Sequence, residues 1–180
     1  MSYFGIPRNQ YILMSGAVLG IAQSLLLFIL YLTGNLFGGA STFISLIIYL
    51  LLIYYAGVNY RDHYREGILS YGKSLGFGVK ISILSGLFVG FFYFLLLTII
   101  DPSLADYLIA ETQDAYLAMG FSESEVANMQ DAINMAGNPW MLFFSSIFNG
   151  LVYGFIVSLV VSIFVKRKGD PFKETMQNVE

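Results

Sequence analysis

The chain has 180 residues, of which 57% are apolar, 17% aromatic and only 12% charged, with a formal net charge of −3. A soluble domain carries roughly 25% charged residues, so this composition excludes an ordinary water-soluble enzyme, and nothing in it calls for a nucleic-acid partner. There is no cysteine, which rules out a disulfide framework, a thiolate metal site and a lipidated cysteine.

In chain order, apolar runs cover about 11–33, 42–58, 75–100 and 140–165. Each reaches or approaches the roughly 20 residues that a bilayer-spanning helix needs, which predicts an all-α polytopic membrane protein with four transmembrane helices. The first run is too long for a signal-peptide core and lacks a small-x-small cleavage site, so it is read as a retained span. The basic residues are Arg8, then Arg61, Arg65, Lys73 and Lys80, then Lys166, Arg167, Lys168 and Lys173. Lys and Arg are held on the cytoplasmic side of membranes. This distribution therefore predicts an inner-membrane protein with cytoplasmic N- and C-termini, a tail at 166–180 and a periplasmic segment at 101–139. Tyr11, Tyr54, Tyr55, Tyr60, Tyr71 and Trp140 fall at span ends, where aromatic anchors belong.

Small residues recur at steps of four. Span 1 carries Gly16, Gly20 and Ser24; span 3 carries Ser74, Gly78, Ser82, Gly86 and Gly90; span 4 carries Ser146, Gly150, Gly154, Ser158 and Ser162. Lipid gives no reward for burying apolar surface, so such rows are where helices approach closely. Spans 1, 3 and 4 are expected to form the tight core, with span 2 more peripheral. A homodimer seam is the alternative use of the same rows. Ser15-Gly16-x-x-x-Gly20 and Leu25-Leu26-Leu27 recur 70 positions later as Ser85-Gly86-x-x-x-Gly90 and Leu95-Leu96-Leu97, a candidate repeat of two-helix hairpins.

Residues 101–139 hold Asp101, Asp106, Glu111, Asp114, Glu123, Glu125 and Asp131 and no basic residue. Pro102 marks a helix start, and Leu104, Leu108, Ala115 and Met119 follow on one face up to Gly120. Ser122-x-x-Glu125 fits a capping box, and Val126, Met129 and Ile133 form a second stripe that Gly137 and Pro139 end. A two-helix cap between spans 3 and 4 is predicted. The acids are scattered without the converging loop that calcium requires, so no metal site is expected.

The junction between spans 2 and 3 is the most chemically varied stretch. Tyr60-Arg61-Asp62, Ser70-Tyr71-Gly72-Lys73-Ser74-Leu75-Gly76-Phe77-Gly78, Asp101-Pro102 and Gly120-Phe121-Ser122-Glu123 resemble a family of small Bacteroidota membrane proteins, domain of unknown function 4199. The resemblance implies a four-span inner-membrane protein and brings no activity, cofactor or catalytic residue. Gly67 to Ser74 formally matches a phosphate loop, yet it follows a membrane span instead of a buried strand, so nucleotide binding is set aside. Lys73 and Lys80 lie seven residues apart on one side of the helix. With Arg61 and Arg65 they form a candidate site for anionic lipid headgroups.

His63 is the only histidine, and no Asp or Glu lies within a span. No histidine metal cluster is possible and no Ser/His/Asp set can be assembled inside the bilayer, and coupled carriers usually need ionisable groups at depth. Gln23, Asn35, Asn59 and Asn149 are read as helix glue. The expected function is non-enzymatic, without a cofactor: a structural or accessory subunit of a membrane or envelope complex. A small channel or a lipid or solute transporter acting as an oligomer is the alternative, and a lipid-modifying enzyme is the third reading. Partners are the bilayer, anionic lipid, and a membrane protein or a second copy.

Overall fold

The computed structural model describes residues 5–36 and 39–168; the expected tail beyond residue 168, with Lys173, lies outside them. In chain order the helices are α1 (Arg8–Leu32), α2 (Gly39–Tyr64), α3 (Tyr71–Leu95), α4 (Leu104–Ala118), α5 (Glu123–Asn128), α6 (Gln130–Asn134) and α7 (Pro139–Val165). A single π-helical turn, Leu96–Ile100, extends α3, and a 3-10 turn, Met135–Gly137, follows α6. No β-sheet forms among the described residues; Leu69 and Arg167 pair as an isolated bridge. Four helical stretches, within or spanning α1, α2, α3 with its π turn, and α7, are long and apolar enough to cross a membrane. Phe43, Tyr55, Phe91, Phe144, Phe148 and Phe164 lie exposed on their outer faces, a surface that water would not tolerate and lipid tails would.

The helices overrun the apolar runs. Residues Asn59 to Tyr64 continue α2, and α3 starts at Tyr71 instead of residue 75, because hydrogen bonding along a helix does not stop where hydrocarbon ends. Asn138 caps α7, its side-chain oxygen accepting from the Trp140 and Met141 amides at 2.9 and 3.3 Å, with Pro139 at the first position where its missing donor costs nothing.

α3 is the hub of the bundle, packing most extensively on α7 and next on α1. α2 closes the ring by touching α7 and α1, while its contact with α3 is slight. α1 and α7 thus flank α3 instead of packing on each other. α2 is the least buried of the four spans, as expected, yet it brings Tyr49, Ile53, Ala56 and Tyr60 into the central core with Leu19, Phe77, Ile81, Val157 and Val161.

The small residues set these distances. A Cβ added at Gly86 would stand 2.6 Å from the Ser146 carbonyl oxygen and 2.8 Å from the Ile147 Cα. At Gly90 it would lie 2.7 Å from the Phe143 carbonyl oxygen, and at Gly150 2.6 Å from that of Ser82. Gly78 abuts Ser158, and Gly154 abuts Ser82. The α3–α7 seam therefore runs backbone against backbone. Gly16 and Gly20 instead receive side chains of α3, Leu84 and Phe88. The two copies of the Ser-Gly-x-x-x-Gly motif consequently face different neighbours, α3 for the first and α7 for the second.

Polar side chains stitch the remaining contacts. Gln23 of α1 and Ser45 of α2 bond reciprocally, amide to Ser45 carbonyl at 3.1 Å and Ser45 hydroxyl to amide oxygen at 2.8 Å. Tyr11, Tyr64 and Tyr71 donate to the carbonyls of Ala56, Ile6 and Leu159 at 2.9–3.1 Å.

At the acidic end, Ser122 and Glu125 complete the capping box of α5. The second stripe is not one helix, because the chain breaks at Met129 (φ −97°, ψ 7°) into α5 and α6. Leu104 and Leu108 seat α4 on Leu96 and Leu97. Asp101 ties this corner together, accepting from Ser103 at 2.5 Å and from the Tyr31 hydroxyl at 2.9 Å.

Two outcomes are expected. Gly86→Ala and Gly150→Ala each lower thermal stability in detergent by about 1–3 kcal/mol through overpacking, while Gly76→Ala, with nothing within 4 Å of its Cβ, causes no loss. The hydrogen bonds from Ser103 and Tyr31 hold the Asp101 carboxyl below the usual range. A depressed carboxylate contributes stability above its unfolded pKa of about 3.9 and loses it as pH falls through the folded value. Melting temperature therefore drops on acidification below about pH 4, and the drop is shallower in Asp101→Asn.

Candidate functional site

The loop from α2 to α3 crosses the end of the bundle that carries the basic residues. Glu66 and Gly67 turn it with positive φ, 54° and 75°. Leu69 then pairs in both directions with Arg167, amide to carbonyl at 3.0 and 2.9 Å. This bridge holds the residues after α7 against the start of α3.

Arg61 belongs to this scaffold. Its Nε donates to Asp62 at 2.7 Å and its Nη1 to the Val165 carbonyl at 3.2 Å, so it caps the C-terminal end of α7. It is the one of the four predicted headgroup contacts that does not line the cavity described next.

A cavity of about 240 Å³ lies between α1, α2 and α3 and brings Arg65, Lys73 and Lys80 together. Tyr60 and Phe77 form its aromatic floor, their rings stacked with centroids 4.4 Å apart. The Arg65 guanidinium sits 5.7 Å from the Tyr60 ring centroid, within cation–π range, and donates to the Tyr60 hydroxyl at 3.3 Å. Its Nε is buried and has no hydrogen-bond partner among the described residues. Gly72 and Gly76 line the wall with open space where side chains would stand. The one ion pair among the described residues is Arg61–Asp62, so Arg65, Lys73 and Lys80 share a cavity with no carboxylate among them. Lys80 is about 13 Å along α3 from Tyr71 and exposed, a depth at which an ammonium needs an anion or a route back to the headgroups.

The predicted packing residues Gly16, Gly20, Gly78, Ser82, Gly86, Gly90, Gly150, Gly154 and Ser158 all lie at contacts within the chain. Ser82 and Ser146 return their hydroxyls to the carbonyls of Gly78 and Leu142. Among the four amides, Gln23 is glue between α1 and α2 and Asn35 bonds the Thr33 carbonyl. The Asn59 backbone carbonyl contacts the His63 ring. Asn149 is different: its side chain bonds to nothing among the described residues and lines a second cavity. No group of three or more His, Cys, Asp or Glu able to hold a metal is present among the described residues.

Four helices long and apolar enough to cross a bilayer define a small, mostly helical membrane protein. Residues 15–167 match the family model described as protein of unknown function DUF4199, and the chain belongs to that family. No curated protein matches it. No solved structure does either.

Proposed function

We propose that the protein is an accessory subunit of a membrane or envelope complex, anchored by an anionic phospholipid headgroup held at Arg65, Lys73 and Lys80. In this reading both ends of the chain face the cytoplasm of an inner membrane, and the acidic cap faces the periplasm. The observation that carries it is the cavity in which three cations converge without a carboxylate. A phosphodiester would accept from the unpaired Arg65 Nε and neutralise the two lysines. It would also lie where an inner-leaflet headgroup lies if positive charge is cytoplasmic.

The cap supports the accessory role. It exposes Met119, Phe121 and Met135 beside an uncompensated acidic surface, features suited to a basic, partly apolar partner. The interior next to the basic end is filled by Tyr11, Leu19, Ile53, Tyr60, Phe77 and Ile81. A conducting path through one chain would have to displace them, so the channel or transporter alternative requires an oligomer.

The test is thermal unfolding of the purified protein in mild detergent with added phosphatidylglycerol or phosphatidylcholine. Phosphatidylglycerol is expected to raise the melting temperature more than phosphatidylcholine, and Lys73→Gln/Lys80→Gln is expected to remove that difference. Equal stabilisation by both lipids, or an undiminished difference in the variant, would refute the headgroup site.

A further inference from the structure

A second polar feature inside the bundle lies in the half toward the acidic end, away from the basic cavity. All four spans line a cleft of about 260 Å³. One wall is apolar, with Leu26, Leu27 and Leu30 of α1 and Val89 of α3. The facing wall is polar, with Thr42 and Ser45 of α2 and Ser146 and Asn149 of α7. The cleft reaches the α1–α2 turn, where Leu36 and Ser41 line it. Its deep end meets Tyr49 and Tyr153, whose rings stack at 6.4 Å and 26°, and Ile53 and Val157 continue the packed core beyond them.

Hydrocarbon makes this arrangement costly unless something fills it. Asn149 lies about 15 Å along α7 from Pro139, yet its amide is exposed and bonds to no described residue. An amide transferred to an apolar medium without a partner loses its hydration with nothing in return. Gln23 shows the alternative, since both ends of its amide are used by Ser45. Thr42 likewise presents a hydroxyl that no described residue binds. The lining contains no Lys, Arg, Asp or Glu, so a charged ligand would be desolvated without compensation. Hydroxyls and amides both donate and accept, which suits a ligand whose groups do the same.

We infer that this cleft binds an uncharged polyol, presented as the glycerol headgroup of a neutral glyceride whose acyl chain lies against the leucine wall. The volume equals that of about nine waters at ~30 Å³ each, a size that admits such a headgroup and not a whole lipid. A free polyol entering from the acidic face carries the same chemistry, and the experiment separates the two sources.

Thermal unfolding of the full chain in detergent is measured with monoolein, with methyl oleate as the hydroxyl-free chain, and with glycerol. Monoolein is expected to stabilise saturably and beyond methyl oleate. Asn149→Leu and the near-isosteric Thr42→Val are each expected to weaken its apparent affinity about three- to tenfold, the worth of one hydrogen bond. Lys80→Gln is expected to leave the monoolein effect unchanged, which separates this site from the basic cavity. Saturable stabilisation by glycerol alone would support the polyol site and assign it to a free solute. Equal effects of monoolein and methyl oleate, or unchanged affinity in both Asn149→Leu and Thr42→Val, would overturn the inference.

Discussion

Hydrocarbon surrounding a helix removes the usual reason for helices to associate, because an apolar side chain gains nothing by leaving lipid for protein. What remains is close contact, and the α3–α7 seam is where this chain achieves it. Gly86, Gly90 and Gly150 bring backbone atoms of the two helices within reach of one another, near enough for Cα–H groups to approach carbonyl oxygens. The other elements hang on that pair. α1 docks on α3 by admitting Leu84 and Phe88 over Gly16 and Gly20, and α2 closes the ring mainly on α7 and α1.

The same solvent decides what polar groups do. Water is absent as a competitor, so a hydroxyl or amide must find a carbonyl or leave a deficit. Tyr11, Tyr64, Tyr71 and Gln23 find partners across helices, and these bonds orient elements that apolar packing alone leaves free to slide. Beyond the buried Ser158 and Ser162 hydroxyls, which have no partner among the described residues, unpartnered polar groups line two cavities: that of Arg65, Lys73 and Lys80 at one end, and that of Thr42 and Asn149 in the other half. Those two cavities differ in chemistry, one cationic and one neutral, which fits two ligands better than one.

Much of the architecture was legible in the sequence because span detection needs only composition and length. The boundaries were less so: polar residues such as Asn59 and Arg61 remain helical once a helix leaves the bilayer. The capping box at Ser122 and Glu125 could be read from four residues because its bonds are local. The division of Arg61 from Arg65 could not. They sit four residues apart, Arg61 in the last turn of α2 and Arg65 just past its end, and which one meets a carbonyl depends on where α7 ends, at Val165. The neutral cleft was also hidden, since Thr42, Ser45 and Tyr49 on α2 meet Ser146, Asn149 and Tyr153 on α7 only through the tertiary ring order. Asn149 looked the same as Gln23 in the sequence, although one is bonded across helices and the other lines open space.

Which helix faces meet lipid decides every contact described above. Photolabelling in bilayers with a lipid-dissolved apolar diazirine, mapped residue by residue, reads this directly, because a carbene inserts into whatever side chain or backbone it touches. Strong labelling is expected at Phe91, Phe144, Phe148 and Phe164, which are 57–68% exposed, and none along Gly78, Ser82, Gly86, Gly150 and Ser158. Label deposited along that small-residue seam, with Phe148 spared, would contradict this packing.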